Sequence, residues 1–309
     1  MVLSRIDPTT LHRVAARLAT HTPVWLSHRA VRVGAHGASL LAGDRRVLSE
    51  RHLERAGLQF DDDRDRRRAV GRALGSYGRY YTDSFRLPSL SRAEVDAGFR
   101  YDGFSHITDA IATGTGPLLV LPHLGGWEWA AFWLAVEHQI RVTGVVEPLE
   151  PPELFEWFAS FRESIGMRVV PVGPDAAPAI LNAINRAEVV CLLADRVVAG
   201  ATAVPVTFFG ERTLLPAGPA TLALRTGAAL LPTAVYFDGA VHRAEVRPPV
   251  PAVREGTFRS DVIRVTQLLA DELERFIRAA PEQWHALQPI WPSDYRALGR
   301  PVPASMKDL

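Results

Sequence analysis

The spacing of apolar positions changes character near residue 117. Before it, apolar residues recur every three or four positions: Leu11, Val14 and Leu18 with Arg13 and Arg17 between them, then Trp25, Leu26 and Val31 flanked by Arg29 and Arg32. Such spacing lines one face of a helix, so residues 9–60 are predicted to be largely helical. The run Asp61-Asp62-Asp63-Arg64-Asp65-Arg66-Arg67-Arg68 opens a further helix, its acids at the positive end of the dipole. Tyr77, Tyr80, Tyr81 and Phe85 include pairs three and four apart, which predicts core aromatics on that helix without a chemical role.

Beyond residue 117, short apolar runs alternate with helical segments, the pattern of a sheet covered by helices. Strands are predicted at Leu118–Leu121, Val142–Val146, Val169–Val172, Val189–Leu193 and Leu230–Tyr236, with helices near 126–138, 153–166, 175–187, 217–226 and 258–280. Glycine and proline punctuate the joints, as at Pro148, Pro151-Pro152, Gly173-Pro174 and Pro216. The expected fold is α/β: a central mixed, mostly parallel sheet flanked by helices, with a helical N-terminal region. No repeat, low-complexity tract or long linker divides the chain, so residues 1–309 are expected to form a single domain, with 1–100 mainly helical and 101–309 the α/β core.

Composition narrows the class. Hydrophobic residues are 47% and charged residues 22% of 309, which excludes a disordered or fibrous chain. The solitary Cys191 lies in the apolar run Val189-Val190-Cys191-Leu192-Leu193 and cannot form an intrachain disulfide, which fits a reducing cytoplasm. The net charge of +1 hides an asymmetry: residues 1–100 hold 18 arginines against 11 acids, enough to orient a protein on an anionic surface. No run reaches the ~20 apolar residues that span a bilayer as a helix. Met1 to Pro8 lacks the basic-then-apolar order of a signal peptide. The chain is therefore expected on the cytoplasmic side, soluble or lying on the membrane. A basic amphipathic start that carries a Trp suits an interfacial helix, the alternative being a plain core-packing one. Arginines are plentiful, but no nucleic-acid motif organises them, so no nucleic-acid partner is expected.

The segment Gly116-Pro117-Leu118-Leu119-Val120-Leu121-Pro122-His123-Leu124-Gly125-Gly126-Trp127-Glu128-Trp129 carries the candidate chemistry. A buried strand delivers His123 to its carboxyl end, where α/β sheets bind ligands. The five-residue offset could return the Glu128 carboxylate to the imidazole, holding one ring nitrogen protonated and freeing the other as a general base. Gly125 and Gly126 could expose N–H groups to an oxyanion or phosphate near the helix start. The same residues would equally suit a satisfied strand-end histidine and a first-turn partner of the helix dipole. A metal site is not expected, because no second His or Cys lies at ligand spacing nearby. No Gly-x-Ser-x-Gly elbow points to a serine hydrolase.

The His123-x4-Glu128 block, with its Gly-Gly-Trp-Glu context, resembles the H-x4-D/E motif of glycerolipid acyltransferases. In that context it is similar to the bacterial lipid A biosynthesis (lauroyl/myristoyl) acyltransferase family, and within it to the actinobacterial phosphatidylinositol mannoside acyltransferases. Two further blocks follow in order: Leu192-Leu193-Ala194-Asp195-Arg196, and Phe208-Phe209-Gly210-Glu211 continuing through Leu215-Pro216-Ala217-Gly218-Pro219-Ala220 to Thr226-Gly227-Ala228-Ala229-Leu230-Leu231-Pro232. Together they extend the resemblance over essentially the whole chain.

The resemblance implies an acyl-CoA-dependent transfer of a long-chain acyl group, palmitoyl the expected case, to a sugar hydroxyl of an anionic glycolipid at the inner face of the plasma membrane. No cofactor is implied; acyl-CoA is a co-substrate. His123 would be the base and Glu128 its orienting carboxylate, with Glu147 contacting the acceptor and Arg162 meeting an anionic headgroup. Asp195 and Arg196 are further binding candidates, beside Gly125 and Gly126. The second block reads Asp195-Arg196-Val197 where relatives often carry a second acid, and Glu128 replaces the commoner Asp. Candidate walls for an acyl chain are Phe132, Trp133, Trp157, Phe158, Phe161, Phe208 and Phe209, with Arg212 and Arg225 as phosphate partners, although such aromatics also suit plain core. An acyl-carrier-protein donor, another glycolipid acceptor or a thioesterase remain alternatives.

Overall fold

The computed structural model describes residues 8–39, 43–148, 150–173 and 175–309. The basic, apolar-striped start forms α1 (Pro8–His21), α2 (Val24–Ser39) and α3 (Asp44–Arg55). The predicted helical stretch 9–60 is thus three helices, with Pro23 at the first break. The side chains of Leu11, Arg13 and Val14 lie outside the described residues, as does Met1 to Asp7. Next comes α4 (Asp63–Arg86), capped by the Asp62 carboxylate, which accepts from the Asp65 N–H at 2.7 Å. α2 lies across α4 where a Cβ on Gly78 would stand 2.4 Å from Val31 Cγ1, so only glycine permits this approach.

The α/β part follows as α5 (Arg92–Ala97), β1 (Phe99–Asp102), α6 (Phe104–Ala112), β2 (Leu118–Leu121), α7 (Trp127–Glu137), β3 (Val142–Val146), α8 (Pro152–Ser164), β4 (Met167–Pro171), α9 (Ala176–Asn185) and β5 (Val189–Leu193). It closes with β6 (Ala203–Phe208), β7 (Glu211–Pro216), α10 (Gly218–Thr226), β8 (Leu230–Asp238), β9 (Val241–Val246), α11 (Phe258–Ala279) and α12 (Pro292–Ala297). Seven strands form one sheet in the order β1-β9-β8-β2-β5-β3-β4. All pairings in it are parallel except β8 with β9. This is the mixed, mostly parallel sheet expected, and β6 with β7 adds a separate antiparallel hairpin.

Every residue of β2 is buried, as in a strand covered on both faces. Its side chains alternate between two cores: Leu118 and Val120 join α9, α10 and α11 on one face, and Leu119 and Leu121 join α7 on the other. Within this sheet, sequence patterning did not reveal the edge strand β1 or β9 beside it. There His242, Arg243 and Glu245 interrupt any apolar run, and one residue of β1 is buried.

Candidate active site

Parallel pairing of β2 with β5 sets Leu121 opposite Leu193. Two residues further along each strand stand His123 and Asp195, so the two strand ends deliver this pair to one spot. Asp195 is completely buried, and its Oδ1 meets His123 Nδ1 at 2.5 Å. Its Oδ2 accepts from the His123 backbone N–H at 3.1 Å and from the Trp284 indole N–H at 2.7 Å. Burial alone would raise this carboxyl, but the facing His123 and the three donors outweigh it and hold the group down at about 2. An ionised carboxylate only accepts. Nδ1 therefore carries a proton and donates it in this contact, and Nε2 is the ring nitrogen that Asp195 leaves free.

Glu128, the expected partner of that imidazole, lies elsewhere. It opens α7 at 1% exposure, and its Oε1 accepts from the Tyr80 hydroxyl at 2.5 Å and from Arg162 Nη2 at 3.0 Å. The helix start turns the carboxylate toward α4 and α8, so the residue holding His123 comes from β5 rather than from five positions on. Burial, and then the Glu128 charge, push the Tyr80 phenol far above its ordinary value, which keeps it a donor. Tyr80, expected as plain core, is thus part of a buried Tyr–Glu–Arg cluster. Arg162 also sits 5.5 Å from the rings of Trp127 and of Phe158, a cation over two aromatic faces.

The paired glycines have a steric reason. Gly125 has φ +57°, and a Cβ there would lie 2.0 Å from the Val235 carbonyl oxygen; at Gly126 a Cβ would meet the His242 ring at 2.6 Å. The Gly125 N–H donates to the Gln283 carbonyl at 3.1 Å, so it is not open to an oxyanion as expected. The Gly126 N–H makes no hydrogen bond among the described residues.

Around His123 opens a cavity of about 790 Å³, within the range of small-molecule sites. His123, Tyr80, Arg162 and His285 form its polar end, while Ile180, Leu181, Leu222 and Phe258 line an apolar stretch between α9, α10 and α11. Glu147 and Arg196 also border it, joined by an Nη2 to Oε2 ion pair of 2.8 Å. Of the aromatics proposed as walls, Phe158 lines this cavity, as does Arg225. Phe208 and Phe209 instead pack with Trp284 and Trp291 in the core beneath it.

Sequence patterning missed His285 and Trp284, since neither stands in a periodic run or one of the recognised blocks. His285 donates its backbone N–H to the His123 carbonyl at 2.7 Å, and its Nε2 faces the Ser76 hydroxyl at 3.0 Å. Burial, with His123 close by, lowers this imidazole to about 3 and keeps it neutral.

A histidine held at Nδ1 by a buried carboxylate, placed beside a partly apolar cavity at the carboxyl ends of parallel strands, suits acyl transfer to a hydroxyl. The sequence model of the family described as bacterial lipid A biosynthesis acyltransferase matches residues 57–293. The chain belongs to this family and is an acyltransferase. Among curated proteins it is similar to phosphatidylinositol mannoside acyltransferase from two strains of Mycobacterium tuberculosis, each 39% identical over 72% of this chain and 70% of the relative. The Mycolicibacterium smegmatis protein of the same name is 37% identical over 72% of each chain.

Proposed function

We propose that this chain moves a long-chain fatty acyl group, palmitoyl in the expected case, from acyl-CoA to a sugar hydroxyl of a phosphatidylinositol mannoside. The observation that carries the mechanism is the 2.5 Å contact between His123 Nδ1 and the buried, ionised Asp195. In this reading Nε2 of His123 takes the proton of the acceptor hydroxyl as its oxygen attacks the thioester carbonyl carbon. The tetrahedral oxyanion collapses, the C–S bond breaks, and the departing thiolate recovers the proton from His123. The Gly126 N–H, which makes no hydrogen bond among the described residues, is the amide we assign to that oxyanion. Glu128 fixes Arg162 and Tyr80 at the cavity wall, and with Arg162 already balanced by Glu128 we assign it to sugar hydroxyls. The Glu147–Arg196 pair borders the same cavity and is assigned to the acceptor. The apolar stretch between α9 and α11 takes the acyl chain, and Arg225 meets donor phosphate.

The acceptor assignment is supported by the names of the relatives and by the protein's exposed N-terminal face. No helix among the described residues is long and apolar enough to cross a membrane. On α1 and α2, however, Leu18, Trp25 and Val33 are each more than 60% exposed, beside the exposed Arg17, Arg29 and Arg32. We propose that this face lies on the inner leaflet of the plasma membrane, apolar side chains inserted and arginines among anionic headgroups. Ala16 and Ala19 of α1 pack near Phe158 and Tyr81, which line the cavity, so the docking face borders the acceptor's entrance. In this reading the helical region 1–100 and the α/β core act as one unit.

The test is transfer of radiolabelled palmitate from palmitoyl-CoA to mannosylated phosphatidylinositol in liposomes, comparing the wild type with His123→Ala. We expect loss of product by about 10³-fold or more in the variant. Equal transfer would refute the base, free palmitate without lipid product would indicate a thioesterase, and transfer only from acyl carrier protein would change the donor.

A further inference from the structure

Asp195 is held by more than the histidine it orients. We propose that Trp284 is a positioning residue for the His123–Asp195 pair, and that residues 283–285 form a strap fixing the loop that carries His123; this rests on the reading of His123 as the base.

Each turn of that loop is tied to the strap. The His285 N–H donates to the His123 carbonyl at 2.7 Å, Trp284 forms an antiparallel bridge with Leu124, and the Gln283 carbonyl accepts from the Gly125 N–H at 3.1 Å. The strap is itself tied to β8, because the Gln283 side-chain amide accepts from Phe237 N at 2.7 Å and donates to Phe237 O at 2.9 Å. From this frame the Trp284 indole, 5% exposed, reaches Asp195 Oδ2 at 2.7 Å.

A buried carboxylate can rotate about its last bond, and only one of its oxygens faces Nδ1. Indole and His123 backbone donors on Oδ2 fix that rotation and aim Oδ1 at the ring. The indole cannot swing aside. His52 lies 5.3 Å from its ring and Phe209 5.8 Å, while His52 is pinned between the Ala286 carbonyl at 2.9 Å and the buried Asp294 at 3.0 Å. Removing the indole donor would loosen Asp195 and concentrate negative charge on Oδ1. The imidazolium would then be better stabilised, so His123 would lose its proton at higher pH. The other titratable group held directly against His123 is the neutral His285 of the strap, with Glu147, Arg162 and Arg196 further around the cavity. None of these changes in the variants below.

The test compares wild type with Trp284→Phe, which keeps an aromatic ring but removes the donor, and with Phe209→Leu, which loosens packing against Trp284 without touching Asp195. For Trp284→Phe we expect kcat to fall about tenfold to a hundredfold, with KM for both substrates within about twofold. The acid limb of kcat/KM should move up by about half a pH unit, while Phe209→Leu, which loosens the indole but keeps its donor, should move that limb less. Gln283→Leu, which frees the strap from β8 and keeps the indole, should show the same changes in smaller degree and serves should Trp284→Phe not fold. Wild-type kcat and an unmoved limb in Trp284→Phe, or in Gln283→Leu where that variant stands in, would overturn the proposal. Nitrogen-15 NMR titration of the His123 ring reads the same shift without substrate. An inactive wild type would therefore refute the functional reading while leaving this one decided.

Discussion

Two buried histidines and three buried aspartates are all shifted downward, but for different reasons. His242 and His285 are lowered chiefly by burial and stay neutral, His285 down to about 3. Burial works against the carboxylates of Asp83, Asp195 and Asp294, but their histidine and donor partners outweigh it and keep them ionised. Above about pH 6.5 the histidines are neutral in both folded and unfolded chains and cost nothing. Below it the unfolded chain takes up protons that the fold refuses, at up to about 1.4 kcal/mol per pH unit for each histidine. The carboxylates add stability that is present above about pH 4 and lost as the pH falls toward their depressed values. Melting temperature at constant ionic strength should therefore begin to fall below about pH 6.5 and fall faster below about pH 4. A His285→Gln variant should decline less steeply between those limits, and equal slopes would contradict its buried neutral state. At this scale the sequence pointed to His123, Glu128 and Asp195 individually but not to their pairing. The offset between His123 and Glu128 suggested a local contact, whereas the partner of the ring stands 72 residues away and meets it through strand register. A register between distant strands leaves no trace in local spacing.

Elements were legible where their burial was simple. Strands covered on both faces read as continuous apolar runs, and β2, β3, β5 and β8 appear where the runs are. The edge strand β1, its neighbour β9 and the β6–β7 hairpin are interrupted by charges or prolines and gave no comparable signal. The N-terminal helices show both sides of the pattern. α2 packs on α4 through glycine contacts such as Gly78 with Val31, and it turns Trp25 and Val33 outward at 68% exposure each. Because these two side chains hold nothing inside the fold, Trp25→Ser with Val33→Ser should leave the melting temperature within about 1 °C. Each apolar side chain contributes about 1.5–3 kcal/mol when fully buried, so flotation with anionic liposomes should weaken at least tenfold. Unchanged flotation would place the membrane face elsewhere.

Across the whole molecule, the order β8-β2-β5-β3 brings the ends of β2 and β5 side by side, and the chain after α11 returns to strap the same loop. His123 follows one strand, the Asp195 that meets it follows the next, residues 283–285 contact both, and the cavity wall comes from α4, α8, α9 and α10. Local motifs mark these parts singly, and only the folded sheet assembles them. The claim that this assembly rests on Asp195, with Glu128 serving the cavity wall, is tested most directly by steady-state kinetics of Asp195→Asn beside Glu128→Gln, with palmitoyl-CoA and mannosylated phosphatidylinositol both saturating. We expect kcat to fall about 10²- to 10⁴-fold for Asp195→Asn, the larger of the two losses. Wild-type kcat in Asp195→Asn together with an inactive Glu128→Gln would contradict it and return the orienting role to Glu128.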